Sequence, residues 1–194
     1  YLQTVLPTRV QSNIIEIKKL VPRVLCEKVI AYFNNYSEAT VTGGYSGERL
    51  KSTRNCEQHD IVTDQTTFGK RLITQRLVSY IHAARKIYKE KFPYMDAEEV
   101  SELQILKYQS NQYNVGYTYH TDFSRHTPTR VLSCSISLNT DYEGGLFEFD
   151  LNGQKTKYCQ NIGDCIMFPS NFMYPHTVLP VTKGTRYAII SWIK

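Results

Sequence analysis

The chain has 194 residues, 41% of them hydrophobic and 21% charged, with a formal net charge of +5. That balance predicts one soluble globular domain with room for a sizeable core. No apolar run approaches the ~20 residues of a membrane span. No Lys/Arg block of the nucleic-acid-binding kind appears, so membrane and nucleic-acid partners are both disfavoured.

Five cysteines (Cys26, Cys56, Cys134, Cys159, Cys165) are scattered, odd in number and never spaced as C-x-x-C. They read as reduced, mostly buried thiols of a reducing compartment. No signal peptide is visible in a chain that starts at Tyr1. A cytoplasmic location is expected, with a truncated N-terminus left open.

In chain order, residues 11–20 read as a short strand. Residues 22–35 predict a helix, with Pro22 in its first turn and Leu25, Val29, Ile30 and Phe33 on one face. Residues 36–55 are polar and Gly/Ser-rich, a surface loop that would serve either as a lid or as a plain connection. HDIVTD (59–64) follows as an extended segment. Thr66 to Phe92 carries the longest helical pattern, with Phe68, Leu72, Ile73, Leu77, Ile81, Ala84 and Tyr88 as its apolar stripe. That helix is expected to back a sheet, with His82 and its basic residues on a solvated face.

After Pro93 the pattern changes to short strands at 102–109, 115–120, 130–139, 146–151, 155–159, 164–168, 176–182 and 185–193. Asn152-Gly153 marks a hairpin, and Lys183-Gly184 is expected to turn the chain between the last two strands. The fold expected is α+β: a double-stranded β-helix (jelly-roll) core over 101–194, with 1–100 as a helical and strand support region of the same domain.

Three residues carry the chemistry. His120 and Asp122 form an H-x-D whose side chains share a face at period two. His176 comes more than fifty residues later, before the last two strands, and Arg186 follows it by ten. Each signal alone is weak. A jelly roll, however, sets early and late strands side by side, so all four can face one cavity. Two imidazoles and one carboxylate form the facial set that holds Fe(II) with positions left open. Those positions suit a chelating 2-oxo acid and oxygen. Arg186 offers a bidentate cation for the far carboxylate, with Thr177 and Thr182 as nearby hydroxyl donors.

The sequence resembles the Fe(II)/2-oxoglutarate-dependent dioxygenases, in the prolyl 4-hydroxylase-like branch. The likeness covers roughly residues 100–194. It runs through R-x-x-S-C-x-x-x-L-N (Arg130 to Asn139), Y-E-G-G-x-F-x-F (Tyr142 to Phe149) and G-D-x-x-x-F-P-S (Gly163 to Ser170). It ends in H-x-V-x-P-V-x-x-G-x-R-Y-A-I-x-x-W (His176 to Trp192), the most specific part.

The resemblance implies His120, Asp122 and His176 as iron ligands and Arg186 as the partner of 2-oxoglutarate. Tyr117 matches a family tyrosine beside the H-x-D. Tyr108 is the candidate facing 2-oxoglutarate, with Tyr113 as the alternative. Trp192 matches a pocket-lining tryptophan, and Arg125 with His126 would flank the mouth. Where some relatives carry a tyrosine before the L-N pair, this chain has Ser137, so the pocket must close differently there. Gly144-Gly145 is expected to be structural.

The implied reaction is C–H hydroxylation coupled to conversion of 2-oxoglutarate to succinate and carbon dioxide, with ascorbate as an auxiliary. Asp122 favours hydroxylation over halogenation. The expected substrate is a proline-containing peptide or protein, and tyrosines at 108–119 would suit such a chain. Other side chains and free amino acids stay open. So do a binding module with a residual metal site, a zinc metalloprotein and a nucleic-acid demethylase. Oligomeric state is not read from the sequence.

Overall fold

The computed structural model describes residues 11–36, 40–42, 56–61, 68–110 and 116–194. The N-terminal part holds strands β1 (Ile15–Ile17), β2 (Thr40–Thr42) and β3 (Cys56–Asp60), with helices α1 (Arg23–Tyr36) and α2 (Phe68–Lys91). Strands β4 (Val100–Gln109), β5 (Tyr117–His120), β6 (Leu132–Ser137), β7 (Tyr142–Gly144) and β8 (Phe147–Leu151) follow. Then come β9 (Gln154–Tyr158), β10 (Cys165–Pro169), β11 (His176–Val178) and β12 (Val181–Ile193).

The large sheet runs β1-β10-β6-β12-β4-β3-β2, with β7 also on β12, and the small sheet runs β5-β11-β8-β9. From β8 onward the chain lays a hairpin in the small sheet, then alternates between sheets. This is the winding expected of a jelly roll.

Burial assigns the two faces of the large sheet. Leu103 and Ile105 of β4, Cys134 and Ile136 of β6 and Met167 of β10 join α1 and α2 in the main core. The alternate residues, Gln104 and Tyr108 of β4 and Ser133 and Ser135 of β6, line a cavity on the other side. A second, phenylalanine-rich cluster (Phe147, Phe149, Phe168) fills the space between the sheets beside that cavity.

In α1, Leu25, Val29 and Phe33 are buried at helical spacing. The Pro22 carbonyl accepts from Leu25 and Cys26, so Pro22 caps the helix from just outside it. In α2, Leu77, Ile81, Ala84 and Tyr88 are buried, but Phe68 is 76% and Leu72 43% exposed. The stripe therefore docks from Thr74 onward, where the Thr74 hydroxyl bonds the Ile61 carbonyl. The first turns are not packed on the sheet.

Some expected boundaries shift. Residues 11–13 form a single 3-10 turn, and only Ile15–Ile17 pairs, against β10. The strand expected at 59–64 lies at Cys56–Asp60, and residues 62–67 fall outside the described residues. So does most of the 36–55 loop, apart from β2. The break between the last two strands comes at Leu179-Pro180 rather than Lys183-Gly184. Pro180 has no N–H to give a ladder, whereas Lys183 and Gly184 pair with Glu143 and Tyr142 of β7. The Asn152-Gly153 turn joins β8 to β9, with φ of 57° and 85° matching a two-residue hairpin turn.

All five cysteines are free thiols, four of them buried and Cys159 exposed. Among the described residues, no helix is long and apolar enough to cross a membrane.

Candidate metal centre and its cavity

His120 ends β5 and His176 begins β11, and the two are direct partners across the small sheet. Asp122 lies two residues beyond His120. Its Oδ1 is 3.7 Å from His120 Nε2 and its Oδ2 is 3.6 Å from His176 Nε2. One ligand atom from each residue falls within 4.8 Å of the others, a spacing that could hold a metal ion.

Each imidazole is oriented from behind. His120 Nδ1 lies 2.8 Å from the Thr118 carbonyl and His176 Nδ1 3.0 Å from the Tyr174 carbonyl. A carbonyl only accepts, so Nδ1 carries a proton and Nε2 is the atom turned to the site, the arrangement of a metal-ligating histidine. Tyr117 stacks on His120 with centroids 3.5 Å apart, and Phe147 stacks on His176 at 5.1 Å.

Burial opposes ionisation of Asp122, yet its pKa is lowered. The neighbouring His176 and His120 and the Ser133 hydroxyl overcome the loss of water. Ser133 Oγ donates to Asp122 Oδ2 at 2.6 Å and lies 2.8 Å from Ser170 Oγ. The Trp192 indole N–H faces the carboxylate closely enough to favour its charge, though it completes no hydrogen bond of normal geometry.

Arg186 lies on β12 opposite Tyr108 of β4, its guanidinium carbon 5.5 Å from the Tyr108 ring centroid. It is 2% exposed, and its Nε has no hydrogen-bond partner among the described residues. Among the described residues no carboxylate pairs with it. A buried cation without a counter-charge is expensive, and this one lines the same cavity of about 960 Å³ as His120, Asp122 and His176.

The other expected residues fall as follows. Tyr108, Tyr117 and Trp192 line the cavity. Of the Arg125-His126 pair expected at the mouth, His126 lines the cavity, while Arg125 is exposed and donates to His126. Tyr113 lies outside the described residues. Thr177 is turned to the Tyr117 carbonyl and Thr182 is exposed, so neither serves the cavity. Ser137 bonds the Asn139 carbonyl and stays out of the wall.

Two features escaped sequence reasoning. Ser133 and Ser170, the inner prop of Asp122, belong to different strands and meet only in the fold. Arg130 grips Glu102 with contacts of 2.8–3.1 Å and lies 3.5 Å over the Trp192 ring, closing one side of the cavity.

Residues 103–194 match the sequence model of the 2OG-Fe(II) oxygenase superfamily. This stretch contains every ligand candidate and Arg186. A PKHD-type hydroxylase of Idiomarina loihiensis is 30% identical over 150 residues, covering 74% of this chain. The chain spans 64% of that relative, under two thirds of its length.

The structure resembles a Pseudomonas putida prolyl-4-hydroxylase, with a TM-score of 0.74 at 17% identity over 94% of this chain and 92% of that one. It also resembles a Trichoplax adhaerens prolyl hydroxylase in complex with a hypoxia inducible factor peptide fragment. There the TM-score is 0.77 at 16% identity, over 95% of this chain and 85% of that one. These likenesses show that the superfamily's double-stranded β-helix fold is shared.

Proposed function

We propose that the protein is an Fe(II)- and 2-oxoglutarate-dependent dioxygenase that hydroxylates an unactivated C–H bond, that of a prolyl residue in a peptide or protein. The observation that carries this reading is Arg186: a buried guanidinium with no carboxylate partner among the described residues, sharing one cavity with a His-Asp-His set. A zinc hydrolase has no use for that cation, whereas a dicarboxylate bound to a metal needs it.

The donor chemistry fits the metal. Two neutral imidazole nitrogens and one ionised carboxylate, each held by a further hydrogen bond, suit Fe(II). His120, Asp122 and His176 would hold it. When bound with 2-oxoglutarate, iron would activate O2, one oxygen atom going to the substrate C–H and the other to succinate, with carbon dioxide as the further co-product and ascorbate as an auxiliary reductant.

The chain's own residues do the positioning. Arg186 and Tyr108 receive the distal carboxylate. Ser133 keeps Asp122 ionised and turned inward. The Phe147 and Phe168 rings pack on His176 and keep water from that side of the site. The name of the PKHD-type relative and the peptide bound to the Trichoplax enzyme support a polypeptide substrate.

Anaerobic titration of Fe(II) into the metal-free protein with 2-oxoglutarate tests the reading. A metal-to-ligand charge-transfer band is expected, lost in His176→Ala and shifted to higher 2-oxoglutarate in Arg186→Ala. Proline-containing peptides would then gain one oxygen with matching succinate release. Absence of the band in folded parent protein overturns the dioxygenase assignment.

A further inference from the structure

The buried polar atoms left without a partner among the described residues are Gln104 Oε1, Ser135 Oγ, Arg186 Nε and Trp192 Nε1. All four belong to residues that line the cavity of the metal centre. Burying unpaired polar atoms is costly, so their gathering on one wall marks a surface built for a ligand. Arg186 has its dicarboxylate in the proposed function, and Trp192 faces Asp122. Gln104 and Ser135 have no role there.

Strand register places them together. Ile190 of β12 pairs with Gln104 on one side and with Ser135 on the other. Gln104, Ile190 and Ser135 thus form one row across three strands. The next row toward the metal ligands is Glu102, Trp192 and Ser133, and Ser133 holds Asp122. Arg186 and Tyr108 lie at the other end. A dicarboxylate reaching from Arg186 to the metal ligands passes over the Gln104 row.

We propose that Gln104, supported by Ser135, is a cosubstrate-binding residue: its carboxamide N–H hydrogen-bonds the 2-oxo dicarboxylate between Arg186 and the metal. The proposal rests on the dioxygenase reading and adds a contact to it. The buried atom left unpaired is Oε1, an acceptor, so the carboxamide must turn over to aim its N–H at the ligand; carboxylate and keto oxygens then accept what the amide N–H and the Ser135 hydroxyl donate. Gln104 is 8% exposed, and its side chain makes no hydrogen bond among the described residues, so nothing must be broken before it turns to a ligand. The polypeptide would enter elsewhere, by Ser124, His126 and Thr127 on the loop after β5.

The test measures binding without turnover. Protein loaded with Mn(II) in place of iron is titrated with 2-oxoglutarate, for the parent, Gln104→Met and Gln104→Glu. The Met variant is expected to bind about tenfold more weakly, the loss of one hydrogen bond. The Glu variant is expected to bind more weakly still, because a carboxylate then faces a dianion. Ligand-free Gln104→Met is expected to melt no lower than the parent, since it removes an unpaired buried amide. Unchanged 2-oxoglutarate affinity in both variants overturns the proposal. So does a loss confined to peptide affinity, which would give the row to the primary substrate. If the Mn(II)-loaded parent fails to bind 2-oxoglutarate, the dioxygenase reading itself fails.

Discussion

Ser133 of β6, in the large sheet, donates a 2.6 Å hydrogen bond to Asp122, which follows β5 of the small sheet. The carboxylate of the metal set is therefore held by the large sheet, while both histidines stand on the small one. Removing that bond should show directly in metal binding. Ser133→Ala is expected to weaken Fe(II) or Mn(II) binding by about 10–100-fold. The bond is one of the forces that lower the pKa of Asp122. Its loss lets that pKa rise, so acid should strip the metal at a higher pH than in the parent. Metal titrations at several pH values check both effects, and superimposable curves would show Ser133 to be a bystander.

Gly145 has φ of +62°, and a Cβ there would lie 2.9 Å from Arg186 Cδ and 3.0 Å from Tyr142 Cε2. Gly145→Ala would strain the backbone by roughly 1–2 kcal/mol and push the Arg186 stem toward the cavity. Affinity for 2-oxoglutarate should fall by about tenfold or more, with Mn(II) binding alone unchanged. Calorimetry with and without 2-oxoglutarate separates the two. Equal weakening of both would point to general damage instead.

Asp164 is buried, which works against its charge, but it accepts from the Lys19 and Asn161 backbone N–H groups at 2.9 Å each and lies 3.3 Å from Lys18 Nζ. Its folded-state pKa is lowered from 3.8. A lowered carboxylate pKa adds stability that is fully present above the unfolded value and lost as pH falls through the folded one. Asp164→Asn is expected to cost about 2 kcal/mol at pH 7. Urea melts should show the gap between parent and variant narrowing as pH drops below about 4.

Arg130→Lys keeps the charge but loses the paired contacts to Glu102 and the stack on Trp192. A stability loss of about 1–2 kcal/mol is expected. Mn(II) and 2-oxoglutarate affinities should hold, while the KM for a peptide substrate rises as the cavity wall loosens. A drop in 2-oxoglutarate affinity instead would place Arg130 on the cosubstrate.

The convergence of His120, Asp122, His176 and Arg186 was legible in the sequence because jelly-roll winding makes early and late strands neighbours. Strand periodicity placed each residue on a definite face. Most strands after Pro93 were legible for the same reason, since alternation shows in strands with one face on the core and one on a cavity. Gln104, Ser133 and Ser135 were not legible. A lone Ser or Gln on a strand carries no sign of what lies opposite, and their meaning comes from registers spanning β4, β12 and β6. The exposure of Phe68 and Leu72 was equally hidden, because helical spacing reports a face but not where the sheet beneath it ends.

His120 and His176 face each other as one rung of a short antiparallel ladder, β5 being four residues long and β11 three. A metal held by both would act as a clasp across that ladder, joined through Asp122 to the opposite sheet. Metal-free protein would then fray first at this seam, its amides exchanging with solvent while β4, β6 and β12 stay protected. Metal would act as a folding ligand for the wall that carries it.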